Sequence, residues 1–237
     1  MSKNIVHRAA TRGHANHGWL DSYHTFSFAR YYNPERIGFG LLRVLNDDVV
    51  APGMGFGAHP HDNMEIVSIP LSGALEHQDS TGNKEVIRSN DVQIMSAGSG
   101  LTHSEYNHSK TDKVNFLQIW VFPKEQNIKP RYEQKTFKPE ERVNKLQTVV
   151  SPEQNDGAIW INQDAWFTFG TLKAGFSETY KLHKTGNGVY AFVINGEVEV
   201  DGEKLGKRDG LGIADTESIT IKTSADAELL LMEVPMQ

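Results

Sequence analysis

Short apolar runs rich in β-branched residues recur along the chain, each closed by a turn signal. They read FGLLRVLN (39–46), EIVSIPL (65–71), ALEHQD (74–79), VQIMSAG (92–98) and FLQIWVF (116–122) in the first half. AWFTFGTLK (165–173), YAFVING (190–196), EVEVDG (197–202), SITIKT (218–223) and ELLLMEV (228–234) follow in the second. Runs of this length, bounded by Gly, Asn and Asp, predict strands. LNDDVVAPG (45–53), DSTGNKE (79–85) and VINGEVEVDGEK (193–204) predict turn-rich connectors or hairpins. The best helix signal is FKPEERVNK (137–145), with Pro139 suited to a first turn and acids after it. It lies between two strand-rich blocks. The pattern predicts an all-β chain of sandwich or barrel type, divided into 1–135 and 136–237.

Composition narrows the classes of function. The chain has 237 residues, enough for one large or two modest β domains, and no cysteine, so thiolate chemistry and disulfides are excluded. Residues 1–18 have no apolar signal-type core, and no run is long enough for an apolar membrane-spanning helix. The expectation is a cytoplasmic protein. Residues 1–150 carry 17 Lys+Arg against 16 Asp+Glu, and residues 151–237 carry 7 against 14. Neither half has the basic footprint of direct nucleic-acid contact, and protein partners stay open. Nine of the ten histidines lie in the first 108 residues, with His183 alone beyond them.

GAHPHDNMEIVSIPLSG (57–73) carries the first candidate chemistry. In a strand, residues two apart share a face, so His59 and His61 project together. Pro60 between them marks a strand end or edge. Glu65 follows as a further candidate. SAGSGLTHSEYN (96–107) offers His103 and Glu105, again two apart, behind a small-residue turn at Gly98–Gly100. If the two strands face each other across a barrel, His59, His61, His103 and Glu105 converge. Three imidazoles and a carboxylate suit a divalent transition metal with open positions. The other histidines read as structure. His77 is a structural or pocket-edge residue, His14, His17 and His24 belong to an aromatic cover, and His108 is solvated. Trp120, Trp160 and Trp166 read as core. Residues 175–200 echo 53–78 weakly, with Lys181 and His183 at the places of His59 and His61, and Asn187 at that of Glu65. This predicts a second copy that serves as scaffold or lid.

Gly53, His59, His61, Glu65 and Gly73 resemble the first motif of the cupins, with one extra residue before the last glycine. Gly100, His103 and Asn107 resemble the second, with Gly98 in place of the usual proline. RGHANHGWLDSYHTFSFARYY (12–32), HPHDNMEIVSIPLSG (59–73), EHQDSTGN (76–83) and MSAGSGLTHSEYN (95–107) follow the order seen in pirins, which are bicupins. LQIWVFP and PRYEQKTF (within 117–137) extend the match.

The resemblance implies two stacked cupin-type antiparallel barrels, with one metal in the N-terminal barrel and none in the degenerate C-terminal one. It implies Fe(II), or another divalent ion among Cu, Mn, Ni, Co and Zn, on His59, His61, His103 and Glu105. Glu65 is thereby moved behind the ligands. It also implies a quercetin 2,3-dioxygenase-like activity on a flavonol and O2 with release of CO, in which Glu105 takes the proton. Two alternatives stand beside it. One is a metal-binding, redox-responsive regulator of protein partners. The other is a metal cupin acting on a sugar or small acid, which needs a basic residue in the pocket.

Overall fold

The computed structural model describes residues 3–237. Among them there is no α-helix, only single 3-10 turns at Ala9–Thr11 and Pro139–Arg142. The helix expected over 137–145 is therefore one short turn. Val143 leaves it in an extended conformation, and no residue of the turn is buried. With no apolar face to bury, nothing extends it.

Four antiparallel-dominated sheets make two barrels of the cupin type. The first barrel sets a seven-stranded sheet against a four-stranded one. The larger runs Arg131–Thr136, Asp91–Ser96, Glu65–Ser72, Val114–Val121, Leu42–Val50, Leu20–His24, Gly13–Asn16. The smaller runs Gly55–His61, Leu101–Asn107, Ala74–Asp79, Lys84–Arg88. The second barrel repeats the plan with sheets of seven and four strands drawn from Leu146–Pro235, plus one strand from the N-terminus.

That strand crosses the expected division at 135/136. Lys3–His7 pairs with Gly210–Ala214, at the edge of the second barrel's larger sheet. His7 Nδ1 lies 2.8 Å from the hydroxyl of the fully buried Tyr190. The first barrel's sheets are thus built from residues 13–136, and the chain's beginning ties the two halves together.

The two larger sheets pack face to face, so their central strands are buried on both sides and read as near-continuous apolar runs. In Val114–Val121, Leu117, Ile119 and Val121 enter a core shared with Val149, Phe167, Phe192, Leu230 and Met232 of the second half. The alternate positions differ. Phe116 joins a separate cluster with Leu75 and Ile87, while Gln118 and Trp120 border a cavity inside the first barrel. Residues on that inner row set the site.

LNDDVVAPG is not a connector. The strand Leu42–Val50 runs through it, and only Ala51–Gly53 turns. Its two aspartates point to opposite faces. Asp47 meets Arg12 at 3.3 Å and Arg208 at 2.8 Å, whereas Asp48 accepts a hydrogen bond from Ser22 inside the barrel. Partners distant in sequence make a buried Asp-Asp tolerable in a strand, and local turn preference cannot register them.

Candidate metal centre

His59 and His103 sit side by side, not across the barrel as expected. Gly55–His61 and Leu101–Asn107 are antiparallel neighbours, with His103 opposite His59 and Leu101 opposite His61. Pro60 is tolerated because its strand is a sheet edge. The ladder breaks between His103 and Glu105, which places Glu105 opposite Phe56. The ring centroids of His59, His61 and His103 lie 4.5–4.9 Å apart. One ring nitrogen from each falls within 4.8 Å of the others.

The free lone pairs point to a ligand. His59 donates from Nδ1 to the carbonyl of Gly57 at 2.8 Å, which leaves Nε2 as the unprotonated nitrogen. Both nitrogens of the buried His103 lack a protein partner. Burial first, then the neighbouring His59 and His77, lowers the His103 pKa to about 3. Burial, with His103 and His59 adding to it, lowers His61 to about 4. Both rings are therefore neutral at physiological pH, the form that binds metal. An ion shared by the three would satisfy nitrogens that are otherwise costly to bury.

Glu105 marks the inner end of this cluster. Gln118 donates from Nε2 to Glu105 Oε2 at 2.8 Å. The Ser68 hydroxyl lies 3.1 Å from Glu105 Oε1 and 2.9 Å from Gln118 Oε1. A second group of nearby ligand atoms joins His77, His103 and Glu105, so His103 belongs to both. His77 is fully buried, with Nε2 on Asp79 at 3.1 Å and Nδ1 unpartnered. Burial opposes ionisation of Asp79, yet hydrogen bonds from Thr81, Asn83 and His77 hold it below the usual carboxylate range. His77 thus stands directly behind the candidate ligands, closer than a pocket-edge role implies.

Glu65 turns the other way. It shares its strand face with Val67 and Ile69, which enter the core between the barrels, while Ser68 on the opposite face meets Glu105. Its carboxyl accepts from Ser96 Oγ at 2.8 Å and from the Asn162 amide at 3.2 Å. Burial pushes its pKa up to about 7. It is a group of the seam between the barrels and cannot orient a ligand of the cluster.

The cavity beside the cluster has a volume of about 680 Å³ and is bordered by His59, His61 and Glu105, within the range of small-molecule sites. Phe28, Tyr31, Phe56 and Trp120 supply flat apolar walls. Trp120 is therefore a cavity residue rather than core, its ring 5.0 Å from that of His61 and near-perpendicular to it. His14 and His17 line the same space, as members of a cover should. Arg30, exposed, is the one Lys or Arg bordering it among the described residues. His108 is exposed, 3.1 Å from Glu76. The sequence reading missed Gln118, Ser68, Ser22, Asn46 and Asp48. The signal was available as polar residues at alternate positions within apolar strands.

A family model described as Pirin matches residues 5–121, and one described as the quercetinase C-terminal cupin domain matches 148–234. The chain is 46% identical over 233 residues to the quercetin 2,3-dioxygenase of Escherichia coli (strain K12), covering 97% of this chain and 98% of that one. The chain belongs to the pirin family. Within it, a pirin-like protein of Caulobacter vibrioides is 45% identical over 222 residues, covering 93% of this chain and 95% of the other. The crystal structure of YhhW from E. coli superposes with a TM-score of 0.94 at 45% identity, covering 98% of each chain. A structure of bacterial pirin YhhW in complex with nickel(II) gives 0.93, covering 98% of this chain and 99% of that one.

In this pirin the second barrel holds a polar cluster of its own, around one carboxylate. Glu233, fully buried, accepts from Tyr180 (2.9 Å), Asn187 (3.0 Å), the amides of His183 and Lys184, and the His183 ring (2.9 Å). Trp166 stacks on His183 at 4.8 Å. His183 is thus committed to a carboxylate, and no second group of metal-ligand atoms forms there among the described residues.

Acid stability tests the buried imidazoles. Burial holds His7, His24 and His61 at about 4 and His103 at about 3, against an ordinary 6.5. The unfolded chain therefore takes up protons first, and this contribution to stability, complete above pH 6.5, is lost as pH falls toward 4. Asp48 and Glu65, both raised to about 7 by burial, act in the opposite sense. Their contribution is complete below their ordinary 3.8 and 4.5 and is lost as pH rises through 7. Between pH 4.5 and 6.5 four imidazoles outweigh two acids. The metal-free protein is expected to gain up to about 2–3 kcal/mol per pH unit there, measured as a rising urea midpoint. A flat or falling midpoint would contradict the assignment.

Proposed function

We propose that this pirin is a metal-dependent dioxygenase that opens the central ring of a flavonol such as quercetin with O2 and releases CO. The observation that carries the reading is the convergence of His59, His61 and His103, with Glu105 beside them, on an aromatic-walled cavity of ligand size. The proposal assigns one divalent ion, Fe(II) first and Ni, Cu, Mn, Co or Zn as alternatives, to His59, His61, His103 and Glu105. It places the ion in the N-terminal barrel only. The E. coli relatives named as a quercetin dioxygenase and as a nickel(II) complex support it.

When bound, such an ion supplies Lewis acidity toward the flavonol 3-hydroxyl and lowers its pKa. The chain's own residues do the rest. Glu105, oriented by Gln118 and Ser68, accepts the 3-hydroxyl proton. Phe28, Phe56 and Trp120 hold the flat rings and exclude water. A cavity at the cluster favours an enzyme over a regulator whose metal only orders a surface. The exposed Arg30 is a poor anion holder for a sugar or small acid.

The test joins metal analysis of natively purified protein to anaerobic titration with quercetin, followed by O2. Expected are stoichiometric metal, a spectral shift on flavonol binding, and CO once O2 enters. Tight metal and flavonol binding without CO would favour the regulator.

A further inference from the structure

Facing the candidate ligands, on the other sheet of the barrel, is a block of four polar side chains. Leu20–His24 and Leu42–Val50 are neighbours, with Ser22 opposite Asp48 and His24 opposite Asn46. All four line the cavity, and their exposures are only 3%, 4%, 4% and 2%. Uncompensated polar burial on this scale is destabilising.

The hydrogen bonds show what is missing. Ser22 donates its single proton to Asp48. Its oxygen lies 2.8 Å from His24 Nε2, so Nε2 carries the hydrogen and Ser22 accepts it. That leaves His24 Nδ1 as a lone-pair acceptor, and it has no donor. Asn46 Oδ1, across the strand pair, also lacks one. Neither atom presents surface to solvent, so a ligand in the cavity that His24 lines reaches Nδ1 only with a small movement of that ring. No cation pairs with Asp48 among the described residues, and burial pushes its carboxyl up to about 7, while His24 stays neutral with a pKa of about 4. Phe28 meets the His24 ring edge-on at 5.3 Å and Trp120 at 5.4 Å, so one aromatic joins this wall to the metal side.

We propose that the Asp48–Ser22–His24 chain, with Asn46 beside it, recognises a phenolic hydroxyl on the part of the substrate that does not touch the metal. The hydroxyl donates to His24 Nδ1, and Ser22 and Asp48 hold the ring in the accepting tautomer. Specificity then comes from a buried acceptor that an analogue without the hydroxyl leaves unpaired. This inference rests on the flavonol reading and assigns its specificity.

The test is anaerobic binding to the metal-loaded protein, which does not depend on turnover. The probes are quercetin, a flavonol without hydroxyls on the pendant ring, and one without them on the fused ring. Wild type should bind one of the two deoxy probes about ten-fold more weakly than quercetin. His24→Phe should lose about ten-fold in quercetin affinity, keep its metal, and bind that same deoxy probe as wild type does. Ser22→Ala, which removes only the hydroxyl between ring and acid, should show the same pattern more weakly and carries the test if His24→Phe does not fold. Equal losses for all three flavonols, or none, would overturn this proposal while leaving the dioxygenase reading intact. Wild-type protein that binds no flavonol overturns both.

Discussion

His103→Ala is expected to weaken metal binding by at least about a hundred-fold, since even partners behind a ligand are worth 10–100-fold. His103 is the residue common to both clusters of ligand atoms, and neither of its nitrogens has a protein partner. Wild-type protein with metal at a hundred times its dissociation constant should gain about 2.7 kcal/mol, or roughly 5–10 °C in Tm for a chain of this size. The variant should gain at most about 0.4 kcal/mol at the same concentration. Without metal the order changes. Alanine removes two buried nitrogens that nothing satisfies, so the metal-free variant should be at least as stable as metal-free wild type. Thermal melts of both proteins, with and without Ni(II) or Fe(II), read all four states. A metal-dependent rise in Tm retained in the variant would remove His103 from the ligand set.

Glu105→Gln is expected to keep much of the metal and to lower turnover of quercetin by about 10²–10⁴-fold, the range for a missing general base. The three imidazoles remain, so binding persists. The carboxylate accepts from Gln118 Nε2 on one oxygen and approaches Ser68 with the other. A glutamine can keep one of these contacts through its oxygen, but it has no lone pair of matching basicity for the substrate proton. Metal content measured beside kcat separates the two roles. Metal-replete variant protein turning over like wild type would remove Glu105 from the base role, and complete loss of metal would make it an indispensable ligand.

The all-β class, most strands and the shared faces of His59 with His61 and of His103 with Glu105 were legible because a strand has period two and side chains two apart share a face. Three features were not. Glu65 lies on the opposite face of its own strand from Ser68, and which face meets the cavity depends on packing between the barrels. Asp47 and Asp48 read as a turn because their partners Arg12, Arg208 and Ser22 are distant in sequence. Lys3–His7 joins the far barrel through pairing with Gly210–Ala214, and no local pattern encodes a partner that remote.

Residue order alone thus determined which side chains travel together: His59 with His61, His103 with Glu105, and, unnoticed, Ser22 with His24 and Asn46 with Asp48. Only the tertiary structure decided which pairs meet. It placed the two histidine-bearing strands side by side, brought His77 behind them, and set the Ser22–His24 and Asn46–Asp48 rows on the facing wall. The physical reason is that facing is a local property of the extended backbone, whereas strand neighbourhood is fixed by long-range pairing and by burial of both faces of the larger sheets.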